Sequence, residues 1–189
     1  MTEPSGTSGT PGSPKTPRTP WTPRTSETTG ELPYPRLPGD SLDALLGGTT
    51  APGLYRWSPG TPAELTGLPA RAARAGRHAA VLDLAGVRGK AAFLARCAAA
   101  LNLPGWFGHN WDALHDCLTD LSWWEAPRGR LIAVTDVPGL RRRDPATARA
   151  AAEVFEAAVA QWRDRDGALS VLFATDRAGH DPWDCRGAG

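Results

Sequence analysis

Four carboxylates, Asp112, Asp116, Asp120 and Glu125, lie between Leu103 and Pro127, and no Lys or Arg interrupts them. At a helical period of about 100° per residue, Asp112, Asp116 and Asp120 recur at i, i+4 and i+8 and share one side. Leu114, Cys117, Leu118 and Leu121 fall roughly opposite, on the i, i+3, i+4, i+7 stripe of a buried helix face. The chemistry open to such a row is recognition of cations. Carboxylates accept charge-assisted hydrogen bonds from guanidinium groups, so the row suits a compact cationic pocket.

The residues before the row explain how it would be held. Pro104-Gly105-Trp106-Phe107 reads as a turn, and Gly108-His109-Asn110 as a helix start. Asn110 is placed to cap by accepting a backbone N–H, and Asp112 then sits in the first turn, where the helix dipole favours negative charge. Asp120 lies at the unfavourable end, with no cation three or four residues away, and the i, i+4 acids repel one another. A charged stripe opposite an apolar one is ordinarily a solvated face. What sets this one apart is the turn, the cap and the acids in one contiguous string.

A catalytic or metal site would have to be built from His109, His115, Asp116 and Cys117. Adjacent helical residues point to different sides, and Cys117 belongs to the apolar stripe, so the four do not converge on a common atom. His180 and Cys185 form no ligand spacing, and the chain has no nucleophile motif or phosphate-cradling glycine loop. The reading is therefore of a binding protein, with no catalytic residue, cofactor or metal.

The string Leu103-Pro104, Trp106-Phe107, Gly108, Asn110 and Asp112-Ala113-Leu114-His115-Asp116-Cys117-Leu118-Thr119 resembles the defining segment of the barstar family. These are intracellular inhibitors of secreted bacterial ribonucleases of the barnase type. The resemblance runs more loosely from His78 to Thr175. It implies a cytoplasmic inhibitor, a monomer when free, that binds one ribonuclease or related cationic toxin and neither nucleic acid nor membrane. Carried over position by position, Asp116 enters the enzyme's phosphate site and Asp112 pairs with a neighbouring cation. Trp106 packs flat on the enzyme, and Gly108, Asn110 and Trp111 shape the rim. His115 stands where the family's prototype has an aromatic, Thr119 extends the contact by a turn, and Asp120 completes the acidic row. The prototype adds acidic contacts from the helix before the last strand. The matching positions here are Ala157 and Gln161, with Glu153 and Glu156 nearby but out of register.

The other elements can be read from patterns alone. His78–Leu84, Leu131–Thr135 and Leu169–Thr175 are apolar runs of strand length, and Lys90–Leu101 is an Ala-rich helix burying Phe93, Leu94 and Cys97. Asp144-Pro145 opens a further helix whose Ala151, Phe155, Ala158, Val159 and Trp162 share a face, with Gly167 as its stop. Strands alternating with helices predict an α/β domain over residues 78–175, a small three-stranded parallel sheet packed with helices. Arg141-Arg142-Arg143 is expected in a solvated loop after the second of these strands.

Upstream, residues 41–77 read as an extension packing on the core. Ser41–Leu46 is a short helix stopped by Gly47-Gly48, and Gly53–Trp57 a strand, with Tyr55 and Trp57 as packing residues. Residues 1–40 are built from Pro, Thr, Ser and Gly, including Thr16-Pro17, Thr19-Pro20 and Thr22-Pro23, and are expected to form a disordered tail; residues 176–189 form an irregular one. A net charge of +1 over 189 residues argues against a general nucleic-acid binder. Charges over residues 78–175 balance at eleven acidic and eleven basic, so any steering field is concentrated on one helix face. Three cysteines form no disulfide framework, which fits a reducing cytosol, and no apolar stretch is long enough to span a membrane. A second reading keeps the fold but gives the acidic helix a different basic partner.

Overall fold

The computed structural model describes residues 34–38, 41–163 and 165–175. In chain order the elements are α1 (Leu42–Gly47), β1 (Leu54–Trp57), α2 (Pro62–Thr66), α3 (Leu68–Arg74), β2 (His78–Asp83), α4 (Gly89–Ala100), α5 (Trp111–Asp120), β3 (Arg130–Thr135), α6 (Val137–Arg143), α7 (Pro145–Trp162) and β4 (Leu169–Ala174). The strands form one parallel sheet in the order β1-β4-β3-β2.

The sheet therefore has four strands, not the three expected of the domain. The fourth is the Gly53–Trp57 strand of the extension, which pairs Leu54 with Val171 and Trp57 with Ala174 along the outer side of β4. The physical reason lies in β4 itself. Leu169 to Phe173 are all buried, a near-continuous apolar run of the kind a parallel strand shows when both its faces are covered. Such a strand left at an edge would expose a row of unpaired backbone groups, and β1 covers them.

Alternation along the strands sends side chains to two cores. Ala80, Leu82, Ile132, Val134, Val171 and Phe173 face α4, α5 and α7. Ala79, Leu131, Ala133 and Leu172 face Leu42, Leu45 and Leu46 of α1, Leu68 and Ala72 of α3, and Trp57. The result is helix, sheet, helix in three layers, with the extension supplying one outer layer. Arg77 ties that layer to the rest, its Nε donating to the Leu46 carbonyl at 2.9 Å.

Residues 34–38 fall within the expected tail, yet Tyr34 and Leu37 are buried, and Pro35 and Leu37 exchange backbone bonds with Arg56. Two apolar side chains in a window dominated by Pro, Thr, Ser and Gly do not change its composition enough to be read. The rest of that tail, and residues 176–189 with His180 and Cys185, lie outside the described residues. The arginine run is a second correction. It ends helix α6 rather than lying in a loop, and Arg143 donates to the carbonyls of Val87 and Leu84 and pairs with Asp136 at 2.8 Å. Helices α2 and α3, rich in Pro and Ala, had no periodic apolar stripe to announce them.

Candidate partner-binding face

The turn leading into α5 is anchored from inside. Phe107 is buried, its N–H bonds the Pro104 carbonyl at 2.9 Å, and its ring meets that of His109 at 4.8 Å. His109 takes a left-handed φ of 48°, which swings the chain so that Asn110 can cap. Asn110 Oδ1 accepts from Ala113 N at 2.8 Å while its Nδ2 donates to the Gly108 carbonyl. A Cβ at residue 108 would stand 3.1 Å from that Nδ2, so glycine gives the cap its room. The sequence-based expectation of Asn110 as cap holds, and Gly108 serves the cap from the turn side.

Helix α5 then divides as its periodicity predicts. Leu114, Cys117 and Leu118 are fully buried, Asp112 and Asp120 are exposed, and His115, Asp116 and Thr119 are partly buried between them. Asp112 and Asp116 are one turn apart, about 6 Å along the axis. Beside them Trp106 is 62% exposed and stands alone among the described residues as a large apolar side chain so open to solvent. Trp111 is turned inward by comparison: its ring leans on Phe93 at 5.4 Å, and Lys90 lies 5.8 Å from its centre. The Thr119 hydroxyl donates into its own helix, with the His115 and Asp116 carbonyls at 3.0 and 3.1 Å.

The far end of α5 revises one argument made from sequence. Asp120 has no cation within four residues, but the fold brings cations from elsewhere. Arg165 Nη1 donates to the Thr119 carbonyl at 3.2 Å, and Trp162 Nε1 donates to the Leu118 carbonyl at 2.8 Å. The Arg130 guanidinium packs on the Trp162 ring at 4.4 Å. Burial lowers the pKa of Arg130, and the Asp120 carboxylate acts in the opposite sense. The penalty at the helix C-terminus is thus offset by long-range partners, and Asp120 has a structural explanation.

The second group of acids is also engaged. On α7, the Glu156 carboxylate accepts from the Tyr34 hydroxyl, and the Tyr34 ring stacks on Phe173 at 5.0 Å. Glu153 is partly buried, with Oε2 out of solvent and without a hydrogen bond. Burial first, and Glu156 second, push its pKa up, against the pull of Arg149. Ala157 and Gln161 lie on this helix, and neither carries charge. Cys117 is a core residue: burial, then the Asp116 and Asp120 carboxylates, raise its thiol to about 11, far from a nucleophile.

One residue of this face escaped the sequence reading. Trp123, just beyond α5, packs its ring nearly perpendicular to that of Trp106, with centroids 6.4 Å apart. It follows a left-handed turn at Leu121, φ 43°, so helical periodicity does not extend to it. The aromatic pair Trp123-Trp124 was the available signal.

The Barstar (barnase inhibitor) family model matches residues 77–174. That is more than half of the chain, and the protein belongs to this family. No curated protein matches the chain. Among the described residues no helix is long and apolar enough to cross a membrane, and no group of three or more His, Cys, Asp or Glu side chains is arranged to hold a metal ion.

Proposed function

We propose that this protein inhibits a secreted ribonuclease of the barnase type by seating the α5 carboxylates in the enzyme's cationic active site. The observation that carries the reading is Asp112 and Asp116 on one side of a capped, core-anchored helix, with Trp106 exposed beside them. A ribonuclease holds its scissile phosphate with Arg, Lys and His. A carboxylate presented on a rigid helix meets the same groups without offering a bond to cleave. Asp116 is the phosphate mimic, Asp112 pairs with a neighbouring cation, and Trp106 packs against the rim of the enzyme. Gly108, Asn110 and Trp111 hold this arrangement from behind, while His115, Thr119 and Asp120 lie along its margin. The inhibitor acts as a monomer in a 1:1 complex, in the cytoplasm, as an immunity protein.

Family membership supports an inhibitor of this kind, and family members are described as inhibitors rather than enzymes. Calorimetric titration of the protein into a guanyl-specific bacterial ribonuclease tests the assignment. Asp116→Ala is expected to weaken the binding seen with the wild type by at least about thirtyfold, with circular dichroism unchanged; equal affinity would refute the role given to Asp116.

A second reading has one observation in its favour. Glu156 is committed to Tyr34, and Ala157 and Gln161 carry no charge, so α7 offers a reduced acidic contribution. On that reading the partner is another basic toxin or protein whose cationic patch matches α5 alone. Failure to bind several barnase-type enzymes, with capture of a different basic toxin through Asp112 and Asp116, would decide for it.

A further inference from the structure

The partner face has a support that neither the acidic row nor the family motif includes. Leu121 ends α5 in a left-handed conformation, and the Trp124 N–H closes on the Leu121 carbonyl at 3.0 Å. That turn brings the chain back to the end of α4. The indole N–H groups of Trp123 and Trp124 both reach the Leu101 carbonyl at the end of α4, at 3.4 and 3.1 Å. Trp124 is buried, whereas Trp123 stays partly open and presents its ring to Trp106 in an edge-to-face contact. A left-handed leucine costs about 1–2 kcal/mol, and full burial of its side chain favours the turn in return. Trp106 has otherwise little to hold it, being 62% exposed at the tip of a turn next to Gly105 and Gly108.

We propose that Trp123 is a positioning residue for Trp106, so that the turn after α5 belongs to the partner-binding face as the element that pre-orients its aromatic contact. The inference rests on the inhibitor reading for its consequence in binding, but not for the positioning itself. An exposed indole with free rotamers loses that freedom when a partner packs on it. Fixing the ring beforehand removes the loss and slows dissociation. The two rings are near perpendicular, so whichever supplies the edge, at least one face of Trp106 is left uncovered by Trp123.

Two readouts on the full chain test this. The first is fluorine NMR of protein labelled with 5-fluorotryptophan, which gives signals for eight tryptophans, Trp106 being assigned from Trp106→Phe. In Trp123→Ala the Trp106 signal is expected to move towards the free indole position and narrow, with the buried Trp57 and Trp162 signals unmoved. Trp123→Phe, which keeps a ring edge, should leave it near its wild-type place. The second is a double-mutant cycle against a barnase-type ribonuclease. Trp123→Ala is expected to weaken binding about three- to tenfold, and to have no further effect in a Trp106→Ala background. A Trp106 signal indifferent to Trp123→Ala, or additive losses in the cycle, would overturn the proposal. Displacement of all seven signals that remain in Trp123→Ala would mean that Trp123 holds the fold generally and would likewise count against a positioning role. If the wild type binds no such ribonuclease, the inhibitor reading fails by itself, and the fluorine spectra alone decide on Trp123.

Discussion

Asp116 and Thr119 lie less than one turn apart on the same helix, and the account separates them sharply. Asp116 is the assigned phosphate mimic. Thr119 spends its hydroxyl on the His115 and Asp116 carbonyls. Truncating an interface hot spot costs roughly 2 kcal/mol or more and up to about 8, a barstar carboxylate being an example near the top of that range. Asp116→Ala is therefore expected to weaken ribonuclease binding by about thirtyfold or more, and Thr119→Ala by less than about threefold, measured as dissociation rates. Glu153 carries a pH prediction. Its folded-state pKa is raised by burial and by Glu156, so the native protein takes up that proton more readily than the unfolded chain. The contribution is fully present below the ordinary glutamate range and is lost as pH rises through the folded pKa. Glu153→Gln should consequently raise the urea midpoint at pH 7. That gain should vanish in acid, where the wild type is protonated as well. A midpoint lowered at pH 7 would contradict this.

Helix α5 was legible because three signals agree: a capping Asn110, a four-residue apolar stripe and acids opposite it. Its cap is a local bond with a testable worth. Asn110→Ala removes the acceptor for Ala113 N and should cost about 1 kcal/mol of stability, seen as a lowered denaturant midpoint with an unchanged slope. An unaltered midpoint would mean that Phe107 and the core hold the helix start unaided. Helix α6 was illegible for the opposite reason. Val137-Pro138-Gly139 reads as a turn, and only the tertiary bonds from Arg143 to Val87, Leu84 and Asp136 show why three arginines lie on a helix. The cations near the end of α5 were equally hidden, because Arg165 reaches the Thr119 carbonyl, and Arg130 comes within the electrostatic influence of Asp120, only across the fold. At the face itself, the acidic row could be read from spacing, whereas Trp123 depends on a left-handed turn that no periodicity encodes.

At the scale of the whole molecule, the family match covers residues 77–174, but the core does not stop there. Leu37, Leu42, Leu45, Leu46, Trp57 and Leu68 bury the second face of the sheet, and each large apolar side chain so buried contributes about 1.5–3 kcal/mol. A chain cut to residues 77–175 would bare Ala79, Leu131, Ala133 and Leu172 and lose the strand covering β4. Such a piece is expected to bind a hydrophobic dye, aggregate and show no cooperative unfolding, while residues 34–175 unfold cooperatively. Cooperative, monomeric unfolding of the short piece would show the outer layer to be dispensable. The three-stranded expectation failed at this scale because Gly53–Trp57 could be read as a strand, but its place in the sheet is set by the exposed edge of β4.

The α5 carboxylates of this chain are proposed to occupy a ribonuclease active site. This occupancy is tested most directly by adding purified protein stepwise to a guanyl-specific bacterial ribonuclease and following cleavage of a short RNA substrate. A linear loss of activity reaching zero at one equivalent is expected, with Asp116→Ala needing a large excess for the same loss. Full ribonuclease activity in the presence of excess folded protein, or equal inhibition by the variant, would contradict it.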